Sequence, residues 1–204
     1  MKKDGIIYTI LFSFTATFLV VLILGFAYQS TSKKVSDHAG LINRKVILSA
    51  FGYEVTDENR INQDYSSIIK TVEIDGIEIY VTEKDGSLYF GKKFAGNGLW
   101  GTITGVIAVN STADEIYGFK ILSHNETPGL GARIEEKWFL DQMKNEAIGP
   151  SGISLNRNGS GKGDTDKSNS SIDAITGATQ TSVFISRIIN NEIKILKKIA
   201  GKLK

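Results

Sequence analysis

The stretch TVEIDGIEIYVTEKDGSLYF, Thr71 to Phe90, decides the fold. Its runs TVEI, IEIYVT and SLYF are rich in β-branched and aromatic residues and are separated by Asp75-Gly76 and Asp85-Gly86. An Asp-Gly pair supplies the positive φ angles of a tight hairpin turn, so the stretch predicts an antiparallel meander. Two further runs, ITGVIAV (Ile103 to Val109) and EIYGFKIL (Glu115 to Leu122), are joined by the polar turn NSTAD and extend the same sheet. Beyond them a helical stretch is expected from Ile134 to Met143, with Ile134, Trp138 and Met143 facing the core. From Gln180 to Leu203, Ile185, Ile189, Ile193, Leu196 and Ala200 recur three or four apart, the spacing of an amphipathic helix packed on the sheet. The segment Pro150 to Ser171 is rich in Gly, Ser, Asn and Lys, with apolar residues only at Ile153 and Leu155, and reads as a solvated loop holding one short strand. The fold class is therefore α+β, a mainly antiparallel sheet flanked by helices.

Working back toward the N-terminus, Val35 to Phe51 places Val35, Ala39, Ile42, Val46 and Ala50 at helical spacing and predicts a connecting helix. Ahead of it, Ile6 to Tyr28 (IIYTILFSFTATFLVVLILGFAY) is uncharged, mostly apolar and long enough to cross about 30 Å of hydrocarbon as a helix. A cleavable signal peptide would also begin with lysines such as Lys2 and Lys3, but the run is long and Ala27-Tyr28-Gln29 is a poor cleavage site, which favours a retained anchor. The expected layout is a tail over 1–5, a single transmembrane helix over 6–28, a connecting helix and linker over 29–60, and a domain over 61–204. Lys33, Lys34, Arg44 and Lys45 after the span outnumber Lys2 and Lys3 before it, so local charge by itself votes for an internal domain.

Composition narrows the chemistry. The formal charge of +2, from 24 basic and 22 acidic residues among 204, gives no footprint for nucleic acid. With no cysteine, thiolate clusters, disulfides and thiol catalysis are excluded, and only His38 and His124 offer imidazole. His124 stands near Glu126, but two ligand candidates without a third do not make a metal site.

The segment Asp173-Ala-Ile-Thr-Gly-Ala-Thr-Gln-Thr-Ser182 sets small and hydroxylated residues immediately before the final periodic helix. A helix N-terminus offers unpaired N–H groups and a positive dipole end, which stabilise a phosphate without any lysine. Gly177 and Ala178 leave room for a ligand to approach the backbone. An ordinary cap, with Thr179 or Thr181 bonding the first amides, explains the same residues, and spacing alone leaves both readings open. The second segment is Ser123-His-Asn-Glu-Thr-Pro-Gly-Leu-Gly-Ala-Arg133, where Pro128-Gly129 signals a turn and Gly131 lets the backbone run close to a flat ring.

Residues Asp173, Thr176, Gly177, Ala178 and Thr179 resemble the D-x-x-[ST]-G-A-T flavinylation motif of the FMN-binding domain family. His124 to Gly131, with Gly96-Asn-Gly-Leu-Trp-Gly101 upstream, resembles that family's H-x-E-T-P-G-L-G segment. The resemblance implies FMN held covalently by a phosphoester to the Thr179 hydroxyl, attached by a separate flavin transferase that uses FAD as donor. It implies Glu126, Thr127, Gly129, Leu130 and Gly131 as flavin contacts, with Leu99 and Trp100 covering one ring face or serving the core. No catalytic side chain and no metal is implied. Within the family the pattern is similar to the flavin-bearing subunits of the sodium-pumping Nqr complex and the related Rnf complex, without choosing between them. An electron-carrying subunit is then expected among other membrane subunits and lipid, on the outer face of a bacterial cytoplasmic membrane, against the local charge vote. Two readings compete with it: a membrane-anchored binding module without redox chemistry, and a free-standing flavin reductase holding FMN noncovalently.

Overall fold

The computed structural model describes residues 5–159 and 161–203. Both Asp-Gly pairs form the expected turns. Asp75 and Gly76 have φ of 54° and 75°, and Asp85 and Gly86 have 50° and 73°, so both central residues lie in the left-handed region that a two-residue hairpin requires. These turns join β1 (Lys70–Ile74), β2 (Ile77–Lys84) and β3 (Ser87–Asn97), with Ile74 opposite Ile77 and Lys84 opposite Ser87. The meander continues through β4 (Thr102–Asn110), β5 (Glu115–Ser123) and the short β6 (Glu146–Ala147). All neighbours pair antiparallel in the order β1-β2-β3-β4-β5-β6. β7 (Ser154–Asn156) and β8 (Ser171–Asp173) make a separate parallel pair, so the polar segment does contain one short strand.

β4 is buried from Val106 to Val109 because both sheet faces are covered. On one face Ile79, Phe90, Phe94, Ile103, Ile107 and Phe119 pack with the final helix, α4 (Thr179–Ala200). The predicted residues Ile185, Ile189, Ile193, Leu196 and Ala200 are all in that core. Lys92 on β3 and Glu192 on α4 form an ion pair that is nearly closed to solvent and fixes the helix laterally. On the other face Tyr80, Val106 and Ala108 meet Ile47, Leu48, Ala50 and Phe51. Contact there is backbone to backbone: a Cβ on Gly118 of β5 would stand 2.0 Å from the carbonyl oxygen of Ala50, so only glycine fits.

The chain divides into two compact units after Leu41. The first holds most of α1, a helix that runs without interruption from Ile6 to Ala50. Among the described residues it is the one helix long and apolar enough to cross a membrane. Its large apolar residues from Ile6 to Tyr28 are exposed. The connecting helix expected from Val35 is the later part of α1; along its stripe Val35 and Ile42 are 65% and 41% exposed, Val46 packs on the core and Ala50 is buried, joined by Ile47 and Leu48.

In the second unit, α2 (Ile61–Ile68) precedes the sheet, and a 3-10 turn (Gly131–Glu135) leads into α3 (Lys137–Met143). Ile134 and Met143 are buried as expected and Trp138 packs half-buried against the same core, while Phe139, not anticipated, is the fully buried ring of α3. Trp138 donates its indole N–H to Glu136 and lies under the Arg133 guanidinium, 5.3 Å from the ring centre, so its polar edge stays accessible while the rest of the ring meets the core.

Glu146 on β6 is fully buried, and although its Oε1 accepts from the Ser171 amide at 3.1 Å, its Oε2 has no hydrogen-bond partner among the described residues. Burial pushes its carboxyl above the ordinary glutamate range, partly offset by the Ser171 amide and Lys167. The native state thus holds this proton more tightly than the unfolded chain. The group's stability contribution is complete below the unfolded-state pKa and is lost as pH rises through the raised value. Glu146→Gln is expected to melt above the wild type at neutral pH, with the gap closing as pH falls into the carboxylate range; parallel melting curves across that range check it.

Candidate functional site

α4 starts at Thr179 without a side-chain cap: its N-cap position is Ala178, with φ −131° and ψ 46°, and no side chain bonds the first amides. Neither threonine proposed as a cap serves as one. Thr181, buried, donates its hydroxyl to Glu126 Oε2 at 2.7 Å. The Ser182 hydroxyl accepts from the Ile175 amide at 2.9 Å and donates to the Ala178 carbonyl at 3.0 Å. Of the hydroxyls in this first turn, that of Thr179 alone is exposed and has no partner among the described residues. The unpaired amides and positive dipole end are left open to an anion.

Thr179 opens on a cavity of about 460 Å³. Around it stand Leu99, Trp100, Glu126, Thr127, Leu130, Gly131, Gly177, Ala178 and Thr179, all anticipated from the sequence, together with Gln180 and Thr181. The last two were missed as site residues, although their place in the Thr-Gln-Thr-Ser run at the helix start is a signal for them. Leu99, Trp100 and Leu130 are 47%, 67% and 45% exposed, a concentration of open apolar surface at the mouth. Such size and lining suit a flat, mostly apolar ring carrying a polar tail. An acidic tail would meet the helix end rather than a lysine, since no basic side chain lines the cavity.

Three expected residues lie outside this lining. Asp173 is 4% exposed and ends β8, where its carboxylate accepts from Asn156 Nδ2 at 2.9 Å. Its amide donates to Gln142 Oε1 at 2.6 Å. It therefore braces the β7–β8 pair and the approach to α4. Thr176 and Gly129 are exposed on the two loops, Gly129 with φ 73° in its turn.

Glu126 is buried, with Oε1 accepting from the amides of Leu99 at 2.7 Å and Trp100 at 3.1 Å. Gly131 lines the cavity and also packs inward: a Cβ there would meet Glu126 Oε2 and Thr181 Oγ1, each at 2.7 Å. His124 accepts the Glu126 amide on Nδ1 at 3.1 Å and faces Glu135 through Nε2 at 3.3 Å. Among the described residues no group of three or more His, Cys, Asp or Glu side chains gathers as a metal site. A second cavity of about 310 Å³, edged by Lys84, Lys120, Lys137 and Lys144, receives none of the residues from either sequence motif.

Comparison with known proteins points to the same region. Residues 98–194 match the family described as FMN-binding domain, a span that contains the whole cavity lining. The chain is 29% identical over 117 residues to the C subunit of the Na(+)-translocating NADH-quinone reductase of Pseudomonas aeruginosa, covering 55% of this chain and 44% of that protein. It is 25% identical over 195 residues to the G subunit of the Na(+)-translocating ferredoxin:NAD(+) oxidoreductase complex of Acetobacterium woodii, covering 94% and 90% of the two chains. The crystal structure of the C subunit of a Na(+)-translocating NADH-quinone reductase from Parabacteroides distasonis superposes with a TM-score of 0.67 at 23% identity, over 81% of this chain and 95% of that one. At that identity the superposition speaks for the fold alone.

Proposed function

Residues 98–194 match the FMN-binding domain family, and from that premise we propose that this protein is a membrane-anchored electron-transfer subunit that carries FMN in phosphoester linkage to Thr179. The observation that carries the reading is the exposed, unpartnered Thr179 hydroxyl at an uncapped helix end, opening on a cavity with an apolar mouth. The residues present fit the group. The first turn of α4 holds the phosphate charge with backbone dipoles, Leu99, Trp100 and Leu130 keep water from the ring, and the Thr127–Gly131 loop brings backbone amides near it. FMN when bound supplies reversible electron transfer.

A tether suits an exposed carrier: a group held only by contacts at so open a mouth is lost by dilution, whereas attachment keeps its effective concentration high. Because the Thr179 hydroxyl has no hydrogen-bonded base among the described residues, its modification falls to a separate flavin transferase, with FAD as donor. In this reading residues 6–28 cross the membrane once, and the unit that begins at Ile42 carries the flavin on the outer face of a bacterial cytoplasmic membrane, among other subunits of an Nqr- or Rnf-type complex. The span carries no ionisable side chain apart from two tyrosine phenols, so ion movement belongs to those other subunits.

The decisive experiment is fluorescence of the full chain in a denaturing gel, paired with intact mass, after expression with a flavin transferase. A fluorescent band and the corresponding mass increment are expected. A bare polypeptide eliminates the tether, and flavin released on denaturation would point to a noncovalent reductase instead.

A further inference from the structure

Glu126 lies at the cavity, yet its carboxylate is committed to the protein's own donors on both sides. Its Oε1 receives two successive backbone amides, Leu99 at 2.7 Å and Trp100 at 3.1 Å. These belong to a tight turn closed by the Gly98 amide on the Gly101 carbonyl at 2.8 Å. Paired amides converging on one carboxylate oxygen make a small anion nest, and bonds of this charge-assisted kind are about twice as strong as neutral ones. Oε2 accepts the Thr181 hydroxyl at 2.7 Å, in the helix turn that also carries Thr179.

The surroundings are shaped for this carboxylate. A Cβ on Gly98 would lie 2.5 Å from Oε1, and one on Gly131 would lie 2.7 Å from Oε2, so glycines flank it on either side. With their amides turned inward to Glu126, Leu99 and Trp100 present exposed side chains to the cavity. One buried side chain thereby ties the turn that forms one wall of the cavity to the helix end that forms another.

We propose that Glu126 is a positioning residue: it acts on the cofactor through the Leu99–Trp100 turn, fixing that wall against the Thr179 end of α4. The proposal rests on the flavin reading for its consequence and on hydrogen-bond geometry for its mechanism, and the two separate experimentally.

Amide hydrogen exchange in heavy water, on the full chain from cells lacking flavin transferase, reads the mechanism without any cofactor. In Glu126→Ala the Leu99 and Trp100 amides should exchange about tenfold faster, the scale of one lost charge-assisted hydrogen bond, while amides of β4 keep their protection. Glu126→Gln retains an acceptor oxygen for both amides but not its charge, and should exchange between the wild type and the alanine variant. Glu126→Asp, too short to reach both partners, should behave as the alanine variant and replaces it if that variant does not fold.

The same variants loaded with flavin test the consequence. In the flavin-loaded fraction of each variant, the visible circular dichroism of the bound flavin should change for alanine or aspartate and be preserved for glutamine. Unchanged exchange at Leu99 and Trp100 overturns the clamp. Faster exchange with an identical flavin spectrum overturns the positioning role. Loss of loading in all variants with the turn still protected makes Glu126 a direct cofactor contact and overturns the proposal. A wild-type chain that never takes up flavin sinks the functional reading, and the exchange result still judges the clamp.

Discussion

Replacing Thr179 with alanine is expected to abolish covalent flavin altogether while leaving the domain folded. The hydroxyl makes no hydrogen bond among the described residues and is exposed, so its removal takes nothing from the core or from the helix cap. Alanine is also a better helix former at this first helical position, and the stability change should stay within about 0.5 kcal/mol. Thr181→Ala supplies the contrast. That hydroxyl is buried against Glu126, so its loss should cost about 1–2 kcal/mol and yet leave most of the flavin in place. Intact mass and in-gel fluorescence of both variants, alongside their melting curves, should show opposite patterns: one loses cofactor at constant stability, the other loses stability with cofactor kept. Flavin retained by the Thr179 variant would move the attachment to another residue.

Truncating Phe139 should produce the largest loss of stability from a single side chain in α3. It is fully buried among Ile134, Met143 and the sheet residues of the main core, and it meets Trp138 edge-on with ring centres 5.6 Å apart. Phe139→Ala should cost about 3–5 kcal/mol, the range for an emptied aromatic core site, and lower the melting temperature by about 10 °C in a domain of this size. Trp138→Ala should cost only about 1 kcal/mol, because the indole is half-buried and its partners Glu136 and Arg133 stay solvated. Urea denaturation of the two variants decides the matter, and equal losses would contradict the assignment of Phe139 as the fully buried ring. Protein of the Phe139 variant that remains folded should still carry flavin, since Phe139 is absent from the cavity lining.

The Trp138 and Phe139 pair shows where reading a sequence stops. Helical spacing permits either ring to face inward, and it does so for any short helix whose apolar residues are adjacent. Both rings meet the core, and only Phe139 is fully closed off, since Trp138 turns its N–H toward Glu136. The stripe on α1 makes a related point: Val35 and Ile42 share a period with the buried Ala50 and yet are exposed. Periodicity reports which residues share a face, and it is silent on whether anything lies against that face.

What the sequence by itself determined is local. The Asp-Gly turns at 75–76 and 85–86, the strand runs, the period of α4 and the apolar run of α1 each depend on backbone preferences of neighbouring residues, and each forms where it was expected. Both motif segments were also visible as residue patterns. Tertiary structure alone decided which hydroxyl is free. Thr179, Thr181 and Ser182 are chemically equivalent as letters, and they separate only when Glu126, 55 residues before Thr181, arrives to accept one hydroxyl and the N-terminal turn of α4 absorbs another. The same arrival recruits the Leu99–Trp100 turn and closes the cavity wall. Hydrogen bonds between distant segments depend on how the sheet and helix come together, and no local preference encodes that.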